Sequence, residues 1–456
     1  MSWESEFESM CFMDAPKVLE YPGPKSLRLI NEMLELETKQ EVYSRFWRLA
    51  IDVARGSTIR DVDGNLFIDS VAGICVVGVG HCNPFVVEAV RKQLEKYWHT
   101  LAIASETRVE FLRRVHEILP EGLRGNAKIL TTITGADAVE AAVSLARWIT
   151  GRRNIIAFEG AYHGIHHGAV TLTAKKLYQK YAGVNEYGVY RLPYPYPYRF
   201  PIKASGEESK IVVDYLDHLL SDPHSGVDDV AAVIVEPIQG EGGYIVPPDD
   251  FLPMLREVTE KHGVLLIVDE IQSGMGRTGR WWAIEHTGVK PDIMTISKAI
   301  ANGIPISLVA YRKEYDDKVP LAFHLGTYRG NLLGMASAIA VIDYIKTRNL
   351  IDRAEKVGER MLNEFRNIQS RIVGDVRGRG FMIGIELVRD RSMKTPGKEI
   401  AERLREELAK NGVLMHTCGH YDNVMRFMAP LTTPEKLLSI VVEEFEKSIK
   451  KIEGDI

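Results

Sequence analysis

Two short segments of the chain end in side chains that could take part in chemistry. The apolar run at 264–268 is followed at once by Asp269, and the run at 293–296 is followed after one residue by Lys298. Ligands of α/β sheets bind at the carboxyl ends of strands, so both side chains lie where a ligand is expected. A lysine that ends a buried strand is costly unless it has a role. Burial lowers the pKa of a lysine and lets it form a Schiff base with a carbonyl compound, which indicates covalent chemistry at Lys298.

A third segment carries a candidate anion site. Thr134, Gly135 and Ala136 open a predicted helix that extends to Arg147. The free backbone N–H groups and the dipole at a helix N-terminus favour an anion such as phosphate. Asp269 alone could equally be a helix-capping or loop carboxylate, but the strand-end lysine favours a shared ligand site.

The elements that must position these residues follow from the hydrophobic pattern. Buried strands are predicted from runs that are apolar on both faces, at 155–158, 231–235 and 264–268. Such strands are typical of a mostly parallel sheet covered by helices. Residues 59–69 contain a turn signal between two alternating runs and predict a β-hairpin or meander.

The last part of the chain has a different pattern. Residues 373–388 predict strands joined by glycine turns, and amphipathic helices are predicted at 398–410 and 434–451, the second with Thr433 as its N-cap. The predicted fold class is therefore α/β, with a large domain and a smaller α+β domain made from both termini. The expected division is 1–84 and 339–456 for the two parts of the small domain and 85–338 for the large domain.

Composition argues against several classes of function. The 456 residues contain 57 Lys plus Arg and 62 Asp plus Glu, which gives a net charge of -5. No basic surplus points to nucleic acid or to a membrane surface, and no apolar run is long enough to span a bilayer. The acidic first ten residues predict no secretory signal, and four cysteines without CxxC spacing predict free thiols in a reducing cytoplasm. The histidines at 163, 166 and 167 lack acids at helical spacing, so no metal site is expected.

Several ordered motifs together resemble one enzyme family. They are GAYHG at 160–164, VEPIQGEGG at 235–243, DEIQSGMGRTG at 269–279, DIMTISKAIANGIP at 292–305 and TYRGN at 327–331. The chain from about residue 20 to its C-terminus is similar to the class III aminotransferases, which are pyridoxal-phosphate enzymes of fold type I. Within them it resembles an archaeal branch that includes ornithine aminotransferases and amino-acid racemases.

The resemblance implies a role for each motif residue around the ring of pyridoxal 5'-phosphate. Lys298 corresponds to the lysine that forms the Schiff base with the cofactor. Asp269 corresponds to the carboxylate that keeps the pyridine nitrogen protonated, which makes the ring an electron sink. Gln272 is expected to contact the phenolic oxygen, Tyr162 to stack on the ring face, and His163 to line the same pocket.

The resemblance also implies how phosphate and substrate are held. Gly135 and Ala136 are expected to bind the phosphate through their backbone N–H groups. Thr327 corresponds to a threonine that reaches the phosphate of the neighbouring subunit, which implies a homodimer or higher homo-oligomer with shared active sites. Arg426 corresponds to the arginine that holds the carboxylate of the amino-acid substrate, and Glu241 to the acid that pairs with this arginine when no carboxylate is bound. Glu236 is expected to be a second acid of the pocket.

Three positions depart from the pattern of the family. Ile165 stands where many of these aminotransferases have an arginine that holds the distal carboxylate of glutamate, and an apolar side chain cannot replace a bidentate guanidinium. Asp137 stands where most relatives have glutamate, and similar turns with aspartate occur in racemases of the group. Residues 328–331 read Tyr-Arg-Gly-Asn instead of Gly-Gly-Asn-Pro, a variant similar to that of diaminobutyrate aminotransferases.

Two reactions remain open because both begin when Lys298 removes the α-proton of the substrate Schiff base to give a quinonoid. Return of the proton to the opposite face of the α-carbon gives a racemase, and transfer to the cofactor gives half a transamination. The leading prediction is a racemase of medium or large apolar amino acids such as leucine and methionine, because a racemase needs no anchor for a second substrate. The alternative is a class III aminotransferase of the ornithine, 4-aminobutyrate or diaminobutyrate type. The Glu241 and Arg426 positions favour that alternative.

Overall fold

A computed structural model describes residues 3–39, 42–183 and 188–455 of the chain. The helices are α1 (Trp3–Ser9), α2 (Pro24–Leu36), α3 (Tyr43–Trp47), α4 (Ala72–Cys75), α5 (Pro84–Leu94), α6 (Glu106–Ile118), α7 (Gly135–Thr150), α8 (His167–Leu172), α9 (Lys176–Ala182), α10 (Glu208–Ser221), α11 (Phe251–Lys261), α12 (Leu332–Thr347), α13 (Leu350–Asn367), α14 (Lys398–Lys410) and α15 (Glu435–Gly454). In the short α4, the residues have positive φ angles, so this segment is a left-handed turn.

The strands of the described residues form three sheets. They are β1 (Ile51–Arg55), β2 (Thr58–Asp61), β3 (Leu66–Asp69), β4 (Ala127–Thr132), β5 (Asn154–Phe158), β6 (Val189–Leu192), β7 (Val230–Val235), β8 (Leu265–Asp269), β9 (Ile293–Ile296), β10 (Ser307–Arg312), β11 (Val373–Arg379), β12 (Met382–Asp390), β13 (Thr395–Pro396), β14 (Val413–Leu414), β15 (His416–Cys418) and β16 (Val424–Phe427). The large sheet has the order β4-β10-β9-β8-β7-β5-β6.

The large sheet is mostly parallel, which confirms the predicted fold class. Only β10 runs antiparallel to its neighbours β4 and β9, and the other adjacent pairs of this sheet are parallel. Every residue of β7, β8 and β9 is buried. The runs that are apolar on both faces are therefore the inner strands of the sheet.

Each inner strand contributes to two hydrophobic layers because side chains alternate between the faces of a sheet. In β5, Ile155 and Ala157 pack in the layer that contains helix α7, whereas Ile156 and Phe158 pack in the opposite layer. Helix α7 crosses β7, β9 and β10 on its side of the sheet. This packing brings the N-terminus of α7 to the edge where β8 and β9 end.

Two smaller sheets flank the large one. The predicted hairpin at 59–69 is present as β2 and β3, with Ile59 opposite Phe67. Strand β14 lies parallel to β3, with Val413 opposite Ile68, so this sheet joins the beginning and the end of the chain. The other sheet has the order β11-β12-β16-β15 and contains the predicted strands at 373–388. The expected boundary at 338 and 339 lies within the continuous helix α12, and the domain division stays a prediction.

The start of the last helix differs from the prediction. Helix α15 begins at Glu435, and Pro434, rather than Thr433, is its N-cap. The Thr433 hydroxyl donates to the carbonyl of Pro430 at 2.7 Å. The N–H of Glu435 instead donates to the carboxylate of Glu4, which comes from the first helix of the chain. A partner that distant in sequence takes the place of the local cap.

Candidate active site

Asp269 and Lys298 lie at the same edge of the large sheet. Strand β8 ends at Asp269, which lies opposite Thr295 of the parallel strand β9. Lys298 follows this strand after Ser297, and it begins a 3₁₀ turn with a φ of 47°. A non-glycine residue with positive φ is strained and persists where the surroundings hold it. Burial lowers the pKa of Lys298, which favours the uncharged amine that a nucleophile or base requires.

Three polar groups lie within hydrogen-bond distance of the Asp269 carboxylate and fix its position. The hydroxyl of Thr295 donates to Oδ1 at 2.9 Å, and the N–H of Ile271 donates to the same oxygen at 3.1 Å. Nδ1 of His163 lies 2.7 Å from Oδ2. Since each carboxylate oxygen can accept two hydrogen bonds, Oδ2 retains one position for a donor in the neighbouring cavity.

The N-terminus of α7 is the turn at which the sequence predicts an anion site. The N–H of Asp137 donates to the Thr134 hydroxyl at 3.2 Å, and the N–H of Ile133 donates to the Asp137 carboxylate at 3.0 Å. This reciprocal cap leaves the first N–H groups of the helix, on Gly135 and Ala136, without intrahelical acceptors. Both residues line the cavity.

A loop from 160 to 166 closes against this turn. Gly164 has a φ of 110°, and a Cβ atom at this position would lie 2.5 Å from the Cβ of Ala136. Only glycine permits so close an approach in this conformation. The loop places Tyr162 and His163 in the wall of the cavity.

The cavity that these elements enclose has a volume of about 290 Å³. Its lining includes all the predicted site residues except Thr327 and Arg426. Within the described part of the chain, Oε1 of Gln272 and Nε2 of His163 are buried without a hydrogen-bond partner. Unpaired buried polar atoms are costly, so a ligand with complementary groups would stabilise this site.

Glu236 is a buried carboxylate in the same wall. It accepts the N–H groups of Tyr162 and Gly240, each at 2.9 Å. Burial raises the pKa of Glu236 to about 7. The predicted second acid of the pocket is therefore a group that can change its charge near neutral pH.

Glu241 and Arg426 form an ion pair between the large sheet and the small sheet that contains β16. The Arg426 side chain is only 2% exposed, whereas Glu241 is partly exposed and lines the cavity. Burial alone would raise the pKa of Glu241, but Arg426 and Lys298 lower it to about 2. The pair holds a buried guanidinium next to the cavity, with a carboxylate that a ligand's own carboxylate could replace.

Thr327 does not join the cavity of its own chain. It lies exposed in the segment before α12, and the residues that line the cavity do not include it. Its predicted contact with a phosphate in a neighbouring subunit stays a prediction.

The positions that depart from the family pattern, namely Ile165, Asp137 and Arg329, lie in two places. Ile165 lines the cavity and is 57% exposed. Arg329 Nη2 lies 2.5 Å from Oδ1 of Asp137, so these two departures contact each other. The unusual arginine therefore compensates the unusual aspartate at the start of α7.

Two side chains beside the cavity were not predicted from the sequence. The ring of Tyr178 meets the ring of Tyr162 at 5.9 Å in an edge-to-face arrangement. Lys175 Nζ lies 5.7 Å from the centre of the Tyr178 ring. Both residues belong to a polar segment without a periodic pattern, and only their closeness to GAYHG at 160–164 could have suggested them.

Two kinds of feature are absent from residues 3–39, 42–183 and 188–455. No group of three or more His, Cys, Asp or Glu side chains in these ranges is arranged to hold a metal ion. None of the helices in the same ranges is long and apolar enough to cross a membrane.

Comparison with known proteins places this geometry in a family. The profile described as Aminotransferase class-III matches residues 40–449. The diaminobutyrate–2-oxoglutarate aminotransferase of Rhizobium meliloti is 37% identical over 87% of this chain and 86% of its own length. The leucine/methionine racemase of Thermococcus litoralis is 35% identical over 88% of this chain and 90% of its own.

A solved structure has the same fold. It is an amine transaminase from an uncultivated Pseudomonas species in its PLP-bound form, with a TM-score of 0.83 and 27% identity over 96% of this chain and 100% of that chain. Aminotransferases and racemases are thus both similar to this chain at nearly equal identity.

Proposed function

Since the chain belongs to the class III aminotransferases, fold type I enzymes that depend on pyridoxal 5'-phosphate, we propose that it transfers an amino group from an amino acid to a keto acid. The donors we favour carry an ω-amino group, as in the ornithine, 4-aminobutyrate or diaminobutyrate type. The proposal includes a cytoplasmic location, which is supported by four cysteines that are all free thiols.

The residues of the cavity fit this cofactor. The helix N-terminus at Gly135 and Ala136 suits its phosphate, and the free acceptor position of Asp269 suits its protonated ring nitrogen. The unpaired Oε1 of Gln272 suits a phenolic hydroxyl. When bound, pyridoxal 5'-phosphate supplies an aldehyde that accepts an amino group and a ring that withdraws electrons. Lys298 would hold it covalently, and Tyr162 would pack against the ring.

The observation that carries the proposal is the Glu241–Arg426 ion pair. An ω-amino donor has no carboxylate on the carbon that reacts, so it requires Arg426 to be neutralised. An α-keto acid carries a carboxylate on the reacting carbon, so it requires Arg426 to be free to bind this carboxylate. An arginine with a replaceable partner serves both substrates in turn, whereas a racemase binds the same α-carboxylate at every step and gains nothing from the replacement.

Lys298 is the residue that would transfer the proton in this reaction. Burial lowers the pKa of Lys298 and so favours the uncharged amine, whose Nζ can take the proton from the substrate carbon that bears the amino group. The same nitrogen can then return this proton at another position. Asp269, fixed by Thr295 and His163, would keep the ring nitrogen protonated and so keep the ring electron-poor.

The test is amino transfer between two purified substrates. The holoenzyme is incubated with ornithine, 4-aminobutyrate or 2,4-diaminobutyrate, each with 2-oxoglutarate or pyruvate, and the new amino acid is measured by chromatography. The expected result is glutamate or alanine that forms only when donor and keto acid are both present. No amino transfer with any pair, from an enzyme that racemises leucine, would refute the proposal.

Racemisation is the second candidate, and one observation favours it. Ile165 gives the cavity an apolar wall, which suits a leucine or methionine side chain better than a carboxylate. The leucine/methionine racemase among the relatives supports the same substrate class. Incubation with L-leucine alone in deuterated buffer would give deuterated D-leucine without any keto acid. Deuterium uptake into L-leucine without D-leucine would leave only the aminotransferase.

A further inference from the structure

Lys175 is a cation that lies near the active site, in contact with aromatic residues that extend to the cavity wall. It precedes helix α9, and its Nζ lies 5.7 Å from the centre of the Tyr178 ring. The Tyr178 ring meets Tyr162 at 5.9 Å, and Tyr162 lines the cavity. Lys175, Tyr178 and Tyr162 thus form a continuous series of contacts that ends at the cavity.

A second and independent route leads to the same lysine. Nζ of Lys175 lies 3.0 Å from Oδ1 of Asp422. The N–H of Asp422 donates to the carbonyl of Gly419 at 3.1 Å, and the N–H of Gly419 donates to the carbonyl of Glu241 at 2.9 Å. The backbone therefore joins the Lys175 partner to Glu241, the residue that neutralises Arg426.

The Asp422 carboxylate has a second cation besides Lys175. Asp422 is shared between Lys175 and Lys398, whose Nζ lies 3.2 Å from Oδ2. Lys398 has a second carboxylate nearby, since its Nζ also lies 4.0 Å from Oε1 of Glu402. If Lys175 turned to another carboxylate, Asp422 would keep Lys398 as its partner.

Lys175 is also charged and adaptable. Burial acts to lower its pKa, but the hydrogen bond to Asp422 raises the pKa of Lys175 above its usual value. Its side chain is 46% exposed, so the ammonium can move on its flexible stem. An ammonium of this kind can exchange one carboxylate partner for another at small cost, since partly exposed ion pairs are weak.

We propose that Lys175 binds the second carboxylate of a dicarboxylic keto acid, with Asp422 as its partner when that carboxylate is absent. The inference rests on the proposed aminotransferase function, in which Arg426 takes the first carboxylate. Lys175 would thus supply the distal cation that Ile165 does not. Arg329 does not compete for this role, because it pairs with Asp137 and its side chain is only 12% exposed, whereas the Lys175 side chain is 46% exposed and free to move.

The test compares two unreactive acids of the same length. Glutarate has a carboxylate at both ends, and valerate has one. Each is titrated into the holoenzyme, and binding is followed by the change in the visible absorbance of the cofactor. Lys175→Ala and Lys175→Arg are compared with Lys176→Ala, which removes an exposed charge from the next residue.

Lys175→Ala should weaken glutarate binding roughly tenfold and leave valerate binding unchanged, because a charge-assisted contact is lost. Lys175→Arg should restore most of this loss, and Lys176→Ala should have no effect on either acid. Asp422→Asn should strengthen glutarate binding, since it removes the carboxylate that competes for Lys175. Equal losses for both acids in Lys175→Ala, or no loss for glutarate, would overturn the proposal.

The two proposals fail in different ways. Titration with unreactive acids does not depend on amino transfer, so it tests Lys175 even in an enzyme that only racemises. Amino transfer by the wild type to pyruvate and not to 2-oxoglutarate would overturn the role of Lys175 and retain the aminotransferase. Absence of transfer to either keto acid would refute the proposed function alone.

Discussion

Lys298 has the reactive amine of the proposed site, and its surroundings decide whether that amine is charged. The sequence predicted both Lys298 and Asp269, because a charged residue after a buried apolar run stands out on chemical grounds alone. Parallel neighbouring strands then require the two ends to meet at one edge. The Glu241–Arg426 pair was expected only from the resemblance, since no local pattern connects two residues so far apart in the chain. The exposed Lys175 had no sequence signal except its closeness to GAYHG at 160–164.

The variant Lys298→Ala tests the residue on which the site depends. It should abolish the visible absorbance of the lysine-bound cofactor and lower turnover by several orders of magnitude, because no other amine of the described lining replaces Nζ. Absorption spectra and initial rates measure both effects. Lys313→Ala, an exposed lysine that directly follows strand β10 of the same sheet, is the matched control and should behave as the wild type. Near wild-type turnover of Lys298→Ala would show that the site lies elsewhere.

Glu270 gives a prediction about pH and stability. It is buried beside Asp269, accepts the hydroxyl of Ser273 at 2.5 Å and the N–H of Ile284 at 2.8 Å, and burial raises its pKa to about 7. Between the unfolded value near 4.5 and 7, the folded chain binds more protons at this residue than the unfolded chain. Its contribution therefore lowers the free energy of unfolding as the pH rises through this window, by up to about 3 kcal/mol.

Glu270→Gln does not titrate, so it should escape this loss. The melting temperature of the variant relative to the wild type should be higher at pH 8 than at pH 5. The exposed Glu359→Gln is the control and should show no such difference between the two pH values. A Glu270→Gln variant that loses stability relative to the wild type as the pH rises would contradict the raised pKa.

Among the elements, those with a strong hydrophobic period were predicted well and those fixed by distant contacts were not. The helix at 398–410 has the predicted bounds, since a repeated apolar stripe specifies it locally. The start of α15 was wrong by one residue because Glu4 supplies the acceptor that Thr433 was expected to supply. Likewise, β14 has only two residues, and the pairing with β3 that completes its sheet has no local signature.

The Arg329–Asp137 ion pair ties the segment before α12 to the first turn of α7, and this gives a prediction for the two elements. Both side chains are largely buried, so Arg329→Ala should leave Asp137 unpaired and lower the free energy of unfolding by about 1–3 kcal/mol. Because Asp137 caps the predicted phosphate site, cofactor should also be released faster during dialysis. Arg113→Ala, an exposed arginine, is the control.

A double-mutant cycle separates the pair from its surroundings. Removal of both side chains together should lower the free energy of unfolding by less than the sum of the losses in the two single variants. The reason is that neither Asp137 nor Arg329 is then left as an unpaired charge. Additive losses, measured by thermal unfolding of the holoenzyme, would show that the contact does not couple the two segments.

At the scale of the whole molecule, the segment with Thr327 belongs to an apolar surface. The surface consists of exposed side chains on two segments, namely Trp98, Leu101, Ile103, Leu321, Leu325 and Tyr328. The segments are in contact, because the rings of His99 and Tyr328 lie 5.7 Å apart and the N–H of Leu332 donates to the carbonyl of Trp98 at 3.3 Å. Contiguous apolar patches of this kind mark interfaces. We propose that a second copy of the chain covers it and that Thr327 reaches the site of that copy.

Leu325→Asp is the variant that tests the interface. It places a charge in the apolar surface and should convert the dimer to a monomer with greatly reduced activity, as measured by light scattering and initial rates. Met393→Asp is the matched control, because Met393 is 78% exposed and Leu325 is 76% exposed. A Leu325→Asp chain that remains dimeric and fully active would contradict the proposed interface.

Mixing two inactive variants tests whether the sites are shared. Subunits with Lys298→Ala and subunits with Thr327→Ala are unfolded together, refolded and assayed. If Thr327 serves the neighbouring site, each mixed dimer contains one site with both residues intact, formed by Lys298 of one chain and Thr327 of the other. Random mixing makes half of the dimers mixed, so about a quarter of wild-type activity should return. If both residues served the same chain, no mixed dimer would contain an intact site, and the activity would stay at the average of the two variants.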